Sequence, residues 1–250
     1  MITPFLAVGW DHSLNHTAAI VLNSQAEIVD LRYLTPRAAA AKAGRDRAER
    51  LPPTFLDKDR DATTRKFERL AFLRLYLPTV CGQIDDLRRA SVAGCRVYVG
   101  FEDYALRAAQ GAHQLGEAGA LLRLALFDRP GFYLRPHDPT SVKMFATGKG
   151  TAEKSDIAAA VRREWHVDFT KYGAGKDGPA EDLADAYVLA RMVLAEVELR
   201  AGRTDLADLP ERERKLFLRV TPSQPVNVLA RPWVECGAFG SVPGWAGTGR

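Results

Sequence analysis

Four carboxylates of this chain, Asp11, Glu102, Asp182 and Asp185, stand where a divalent cation could be held. Asp11 follows the apolar run Phe5-Leu6-Ala7-Val8-Gly9-Trp10, and Glu102 follows Val97-Tyr98-Val99-Gly100-Phe101, so each acid falls on a segment with the character of a buried strand. Asp182 and Asp185 are three residues apart in Glu181-Asp182-Leu183-Ala184-Asp185-Ala186-Tyr187-Val188-Leu189-Ala190, a helical pattern that puts both on one face. Acids gathered in this way repel one another unless a cation lies between them, and hard oxygen donors suit Mg²⁺ or Mn²⁺. Singly, each has a plainer reading. Asp11 suits a turn or helix cap, Glu102 with Asp103 an opening to the helix that follows, and the Asp182/Asp185 pair an ordinary solvated helix face. The metal reading rests on the set.

A second stretch, Val142-Lys143-Met144-Phe145-Ala146-Thr147-Gly148-Lys149-Gly150-Thr151-Ala152-Glu153-Lys154-Ser155, suits contact with phosphate. Gly148 and Gly150 allow close backbone approach or a positive φ, Lys143, Lys149 and Lys154 place cations around the turn, and the N–H groups of a following helix add to the attraction. The alternative is a flexible solvated loop with incidental lysines. The Gly-Lys-Ser/Thr ending of a Walker loop is missing. A formal charge of +4, reached despite an acidic candidate site, fits a polyanionic partner, and the excess of Arg over Lys either favours bidentate phosphate contacts or reflects genome base composition.

On these residues the chain resembles the RuvC family of Holliday junction resolvases, within the RNase H-like superfamily. The family has a similar segment to 142–155, with a Lys near its start, two glycines one residue apart, then Ala and Lys opening a helix. Leu115-Gly116-Glu117-Ala118 is similar to the family's Leu-Gly-Gln-Ala after its catalytic Glu. The resemblance covers about residues 5–200 and is firm at the motifs. It implies a mixed five-stranded sheet flanked by helices. It also implies Mg²⁺, with Mn²⁺ able to substitute, as two ions about 4 Å apart, one activating water and the other stabilising the departing 3′ oxygen. In that scheme Asp11 bridges the ions, Glu102 and Asp185 hold one each, Asp182 completes the set, and Lys154 steadies the scissile phosphate. The implied substrate is branched DNA, especially a four-way junction, cut symmetrically by a homodimer to leave 5′-phosphate nicks.

The chain also departs from the family. Asp-Pro-Gly is replaced by Asp11-His12-Ser13, so the turn differs and His12 either reaches the site or serves as a turn residue, and Tyr104 falls one residue before the family's aromatic wedge. Stacking on opened DNA or core packing are both open to Tyr104. An insertion near 36–61 and the extension at 204–250 suggest a divergent, phage-type branch. Rival readings are a non-catalytic branched-DNA binder on the same fold, a nuclease for RNA–DNA hybrids, and an actin-like ATPase. The last needs a second Asp-Gly-Gly-rich loop, which the sequence lacks.

The elements that must position these residues follow from periodicity. Segments 6–10, 17–22 and 27–34 read as an antiparallel meander, and 62–93 as a helix interrupted or kinked near Pro78. Segments 104–127, 151–164 and 179–200 read as helices, and 132–134 as a short strand. Residues 36–61 are charged, with little periodicity, and read as a surface insertion in which Arg37, Lys42, Arg45, Arg47 and Arg50 could add nucleic-acid contacts. The nuclease domain is expected over 1–203. The extension 204–250 holds a charged helix near 209–218, a strand or extended piece at 219–228 and a glycine-rich end with Trp245, and it could pack on the domain, join a dimer contact or touch DNA.

Cys81, Cys95 and Cys236 have no Cys-x-x-Cys or zinc spacing and read as reduced packing residues of a cytoplasmic protein. No secretory signal or membrane span is expected.

Overall fold

The computed structural model describes residues 4–13, 16–34, 62–103, 112–173, 179–220 and 225–237. Tyr104, the 36–61 insertion and the glycine-rich end past Gly237 lie outside the described residues. The elements run β1 (Phe5–His12), β2 (Thr17–Leu22), β3 (Ile28–Leu34), α1 (Ala62–Ala90), β4 (Arg96–Glu102), α2 (Ala112–Phe127), β5 (Phe132–His137), α3 (Pro139–Thr147), α4 (Lys154–Trp165), α5 (Pro179–Arg200), α6 (Glu211–Leu218) and β6 (Val234–Glu235).

They build one mixed sheet in the order β3-β2-β1-β4-β5-β6. The first three strands are the expected antiparallel meander, and β4 and β5 run parallel to β1. Strands β3-β2-β1-β4-β5 make the expected mixed five-stranded sheet flanked by helices. A sixth strand was not anticipated: β6 comes from the C-terminal extension and pairs antiparallel with β5.

Strand alternation divides the core into two layers. Leu6, Val8, Trp10, Val97, Val99 and Phe101 face α1 and α2. Phe5, Ala7, Ala18 and Ile20 face α3, α4 and α5. Helix α5 is buried along most of its length, which explains its near-continuous apolar sequence. It lies directly on the sheet backbone because two paired strand residues have no side chain. A Cβ at Gly9 would come within 1.9 Å of the Ala186 carbonyl oxygen and 2.2 Å of the Ala190 nitrogen, and one at Gly100 within 2.6 Å of Val193 Cγ2. Gly9 and Gly100 are register partners on β1 and β4, so together they form the seat of α5.

Three boundaries differ from the sequence expectation. Helix α1 runs through Pro78 without interruption, with Phe72, Leu73, Leu77, Val80 and Ile84 inward and Phe67 and Leu75 exposed. Residues 139–147, read only as the approach to the glycine turn, form α3: Asp138 caps it, its side chain accepting from the Thr140 N–H at 2.7 Å, and Pro139 opens it. Helix α4 therefore starts at Lys154, three residues later than expected. In the extension, α6 forms nearly as expected, no strand forms at the described part of 219–228, and a 3₁₀ turn occupies Val228–Ala230. Leu216, Phe217 and Val228 join the α5 side of the core and Cys236 the other, so the extension packs across the domain.

Cys81, Cys95 and Cys236 are free and buried, and burial pushes the Cys81 and Cys236 thiols up to about 12. Among the described residues no helix is long and apolar enough to cross a membrane.

Candidate active site

The candidate acids converge on the α5 side of the sheet, at the C-terminal ends of the parallel strands. Trp10 pairs with Phe101, so Asp11 and Glu102, next on each strand, stand side by side. Asp11 also pairs with Ala18 on β2, Ala18 with Tyr33 on β3, and Glu102 with His137 on β5. Tyr33, Ala18, Asp11, Glu102 and His137 thus form a row across five strands, over which the first turns of α5 bring Asp182 and Asp185. The N-terminus of a helix suits carboxylates electrostatically.

Side chains tie together the facing ends of β1 and β2. Trp10 Nε1 donates to Thr17 Oγ1 at 2.8 Å, and Thr17 Oγ1 donates to the Asp11 carbonyl at 3.0 Å. Ser13 Oγ accepts from the His16 N–H at 3.0 Å and donates to the His16 carbonyl at 2.8 Å. His12 points to the opposite face, buried edge-on against Phe101, because it is one residue past Asp11 on the same strand. It does not join the acids.

Lys154, the first residue of α4, places its ammonium among three of the acids. Its Nζ is 2.7 Å from Asp182 Oδ1, 3.3 Å from Asp185 Oδ2 and 3.8 Å from Asp11 Oδ2. Even so, the cluster is short of positive charge. Burial, then the neighbouring acids against the pull of Lys154, raises the Asp11 carboxyl to about 6 and that of Asp185 to about 7. Burial, then Asp11 and Asp185, raises Glu102 to about 8, with Lys154 and Lys143 opposing. Asp185 Oδ1 is buried with no hydrogen-bond partner.

Asp182 differs. Burial pushes its carboxyl up, but His16 and Lys154 outweigh that and hold it below the usual carboxylate range. His16 Nδ1 lies 3.4 Å from Oδ2, and Tyr33 OH donates to the same oxygen at 3.4 Å. His16 and Tyr33 stack on one another with ring centroids 5.9 Å apart. Neither was foreseen from sequence. The signal was the register of the meander, which places Tyr33 in line with Asp11, and that register depends on turn geometry.

The glycine turn is less open than its sequence suggests. Gly148 takes the left-handed φ of 79° that ends α3, but its N–H donates to the Met144 carbonyl at 2.8 Å. The Lys149 N–H donates to Thr147 Oγ1 at 3.1 Å. Gly150 serves packing, since a Cβ there would meet Thr140 Cγ2 at 2.5 Å. The lysines remain: Lys143 close enough to act on Glu102, Lys149 exposed on the turn, and Lys154 half-exposed over the acids.

Among the described residues no three Asp, Glu, His or Cys side chains already enclose a metal position. The donor set nevertheless suits a hard divalent cation. It is all carboxylate, one buried oxygen lacks a partner, and a lysine ammonium occupies the space between the acids as a cation would.

No known family profile matches the sequence, and no curated protein matches it either. Among solved structures, the chain is similar to Thermus thermophilus RuvC in complex with a Holliday junction substrate, at 18% identity and a TM-score of 0.43, over 77% of this chain and 92% of that one. It is also similar to a Thermus thermophilus RuvC structure, at 18% identity and a TM-score of 0.44, over 79% of this chain and 96% of that one.

Proposed function

We propose that this chain is a metal-dependent endonuclease that resolves four-way DNA junctions. The observation that supports this most is the carboxylate cluster itself: Asp11, Glu102 and Asp185, buried on one face, raised in pKa by burial and by each other, and approached by the Lys154 ammonium. Structural carboxylates in a core are normally paired to completion, whereas these are left with demand for positive charge.

Asp11, Glu102 and Asp185 would hold Mg²⁺ or Mn²⁺, two ions in each site, with Asp182 as the fourth acid. When bound, the metal supplies Lewis-acid activation of water and neutralises charge on the departing 3′ oxygen. Helix α5, seated on Gly9 and Gly100, fixes Asp185 against the strand acids, so the site needs little reorganisation. Lys154 and Lys143 place cations at the site, where they would hold a phosphodiester, and Lys149 extends this positive face to the turn. The branched-DNA preference rests on the motifs of 142–155 and 115–118. Paired nicks require two sites, hence a homodimer, with Tyr104 as a candidate for stacking on opened bases.

The test is Mg²⁺-dependent cleavage of a four-way junction labelled on each strand, beside linear duplex, flap and RNA–DNA hybrid, with Asp11→Asn as control. Paired symmetric nicks, lost in Asp11→Asn, are expected. Cleavage of hybrid alone would instead make the protein an RNase H-type nuclease, and binding without metal-dependent cutting would make it a branched-DNA binder.

A further inference from the structure

The four acids are not equivalent. Asp182 has both oxygens engaged: Oδ1 by Lys154, and Oδ2 by His16 and Tyr33. Asp185, one helical turn further on, has Oδ1 buried and empty-handed, and its Oδ2 meets only the more distant approach of Lys154 at 3.3 Å. Position agrees with this division. Asp182 lines the wall of an open pocket of about 430 Å³, together with Ser13, His16, Glu153, Lys154, Ser155 and Glu181. Asp11, Glu102 and Asp185 do not line it.

A carboxylate oxygen that accepts from two donors must give up at least one of them to bind an ion, whereas an oxygen without a partner gives up nothing. The same comparison applies to Lys154. An ion held by Asp11 and Asp185 would compete with the ammonium for its two longer contacts, and the shortest, 2.7 Å to Asp182, is the one that could persist. The residue that keeps it there is held in turn by His16 and Tyr33, from β2 and β3.

We propose that His16 and Tyr33 commit Asp182 to holding Lys154 at the mouth of the site rather than to binding metal, which leaves Asp11, Glu102 and Asp185 as the ligands. Asp182, His16 and Tyr33 are then positioning residues for the Lys154 ammonium. This rests on the metal-nuclease reading above, but it concerns which carboxylates bind the ion and can be measured without substrate.

The experiment is calorimetric titration of the full chain with Mn²⁺, in wild type, Asp182→Asn and Asp185→Asn. Asp185→Asn is expected to weaken Mn²⁺ binding by about tenfold or more, and Asp182→Asn by less than about threefold. Equal losses in the two variants would overturn the proposal while leaving the metal reading intact, and absence of Mn²⁺ binding to wild type would sink the metal reading itself. His16 supplies a second arm that does not depend on an altered acid. At saturating Mn²⁺, His16→Ala is expected to lower junction cleavage by about tenfold with Mn²⁺ affinity unchanged, and His16→Asn, which retains a donor, to recover most of it. Loss of Mn²⁺ affinity in His16→Ala, or no rescue by Asn, would overturn the positioning role.

Discussion

The two ends of α5 bury carboxylates against the same face of the same sheet and treat them in opposite ways. At the C-terminal end, Glu196 is fully buried but paired: Arg135 donates to it through Nη2 at 2.6 Å and Nε at 3.2 Å, and Arg200 Nε at 2.8 Å. The spare donors of the arginines reach backbone carbonyls of Arg231 and Pro232, and the Arg135 guanidinium lies 4.6 Å from the Trp233 ring centroid. At the N-terminal end, Asp11, Asp182 and Asp185 share the ammonium of Lys154. Burial raises both kinds of carboxyl, so burial alone does not separate them. What separates them is whether the protein supplies the counter-charge. A buried acid matched by guanidinium fastens the chain, and one left short of charge keeps a raised pKa.

The comparison breaks most visibly at the structural end. Glu196→Ala leaves Arg135 buried without its partner, and is expected to cost about 3–5 kcal/mol in denaturant unfolding with or without Mg²⁺. Gly9→Ala acts on the shared helix. Its methyl meets the α5 backbone, so a loss of about 1–3 kcal/mol is expected, together with loss of junction cleavage as α5 lifts from Asp11.

At the charge-short end the effect has the opposite sign and depends on pH. Asp11, Asp185 and Glu102 titrate in the folded protein near 6, 7 and 8, above their ordinary values of 3.8, 3.8 and 4.5. Between these limits the folded state holds protons that the unfolded state has released. Stability of the metal-free protein is therefore fullest below about pH 4 for these groups and falls as pH rises toward about 8. Buried His12 and His137, held down to about 4 and about 3, act in the opposite direction up to their ordinary value of 6.5, so thermal unfolding in EDTA should show Tm falling between about pH 6.5 and pH 8, where Mg²⁺ should also raise Tm more than at about pH 5. A Tm that rises between about pH 6.5 and pH 8 would contradict the assignment. The smallest change sharpens the contrast: Asp185→Asn should flatten the metal-free profile and reduce the Mg²⁺ gain, whereas Glu196→Ala shifts the whole curve down.

Much of the site was legible because the acids sit on elements with strong local patterns. The meander, the β4 strand and the α5 face followed from alternation and helical spacing, and those elements carry Asp11, Glu102, Asp182 and Asp185. What escaped depended on distance in sequence or on register. Arg135 and Glu196 are 61 residues apart, and nothing local marks them as partners. His16 and Tyr33 join the site through strand pairing. Helix α3 carries local signals of its own, since Asp138-Pro139 is a cap signal and Val142, Phe145 and Ala146 have helical spacing, but the glycines just downstream give the stretch the composition of a loop. The turn between α3 and α4 consequently supplies fewer free N–H groups than its glycines suggest.

The short strand β6 reaches beyond the site in its effect. By pairing with Leu134 and Tyr133, and through Tyr133 OH donating to Glu235 at 3.2 Å, it blunts the β5 edge of the sheet. The other edge, β3, carries exposed Ile28 and Val29 and, among the described residues, no strand beyond it. Among the described residues its protection is chemical: Asp30 and Arg32, paired at 2.8 Å, put two charges on the edge strand that an incoming strand would have to bury. Resistance of this sheet to edge-to-edge aggregation is thus guarded by added chain on one side and by charged gatekeepers on the other.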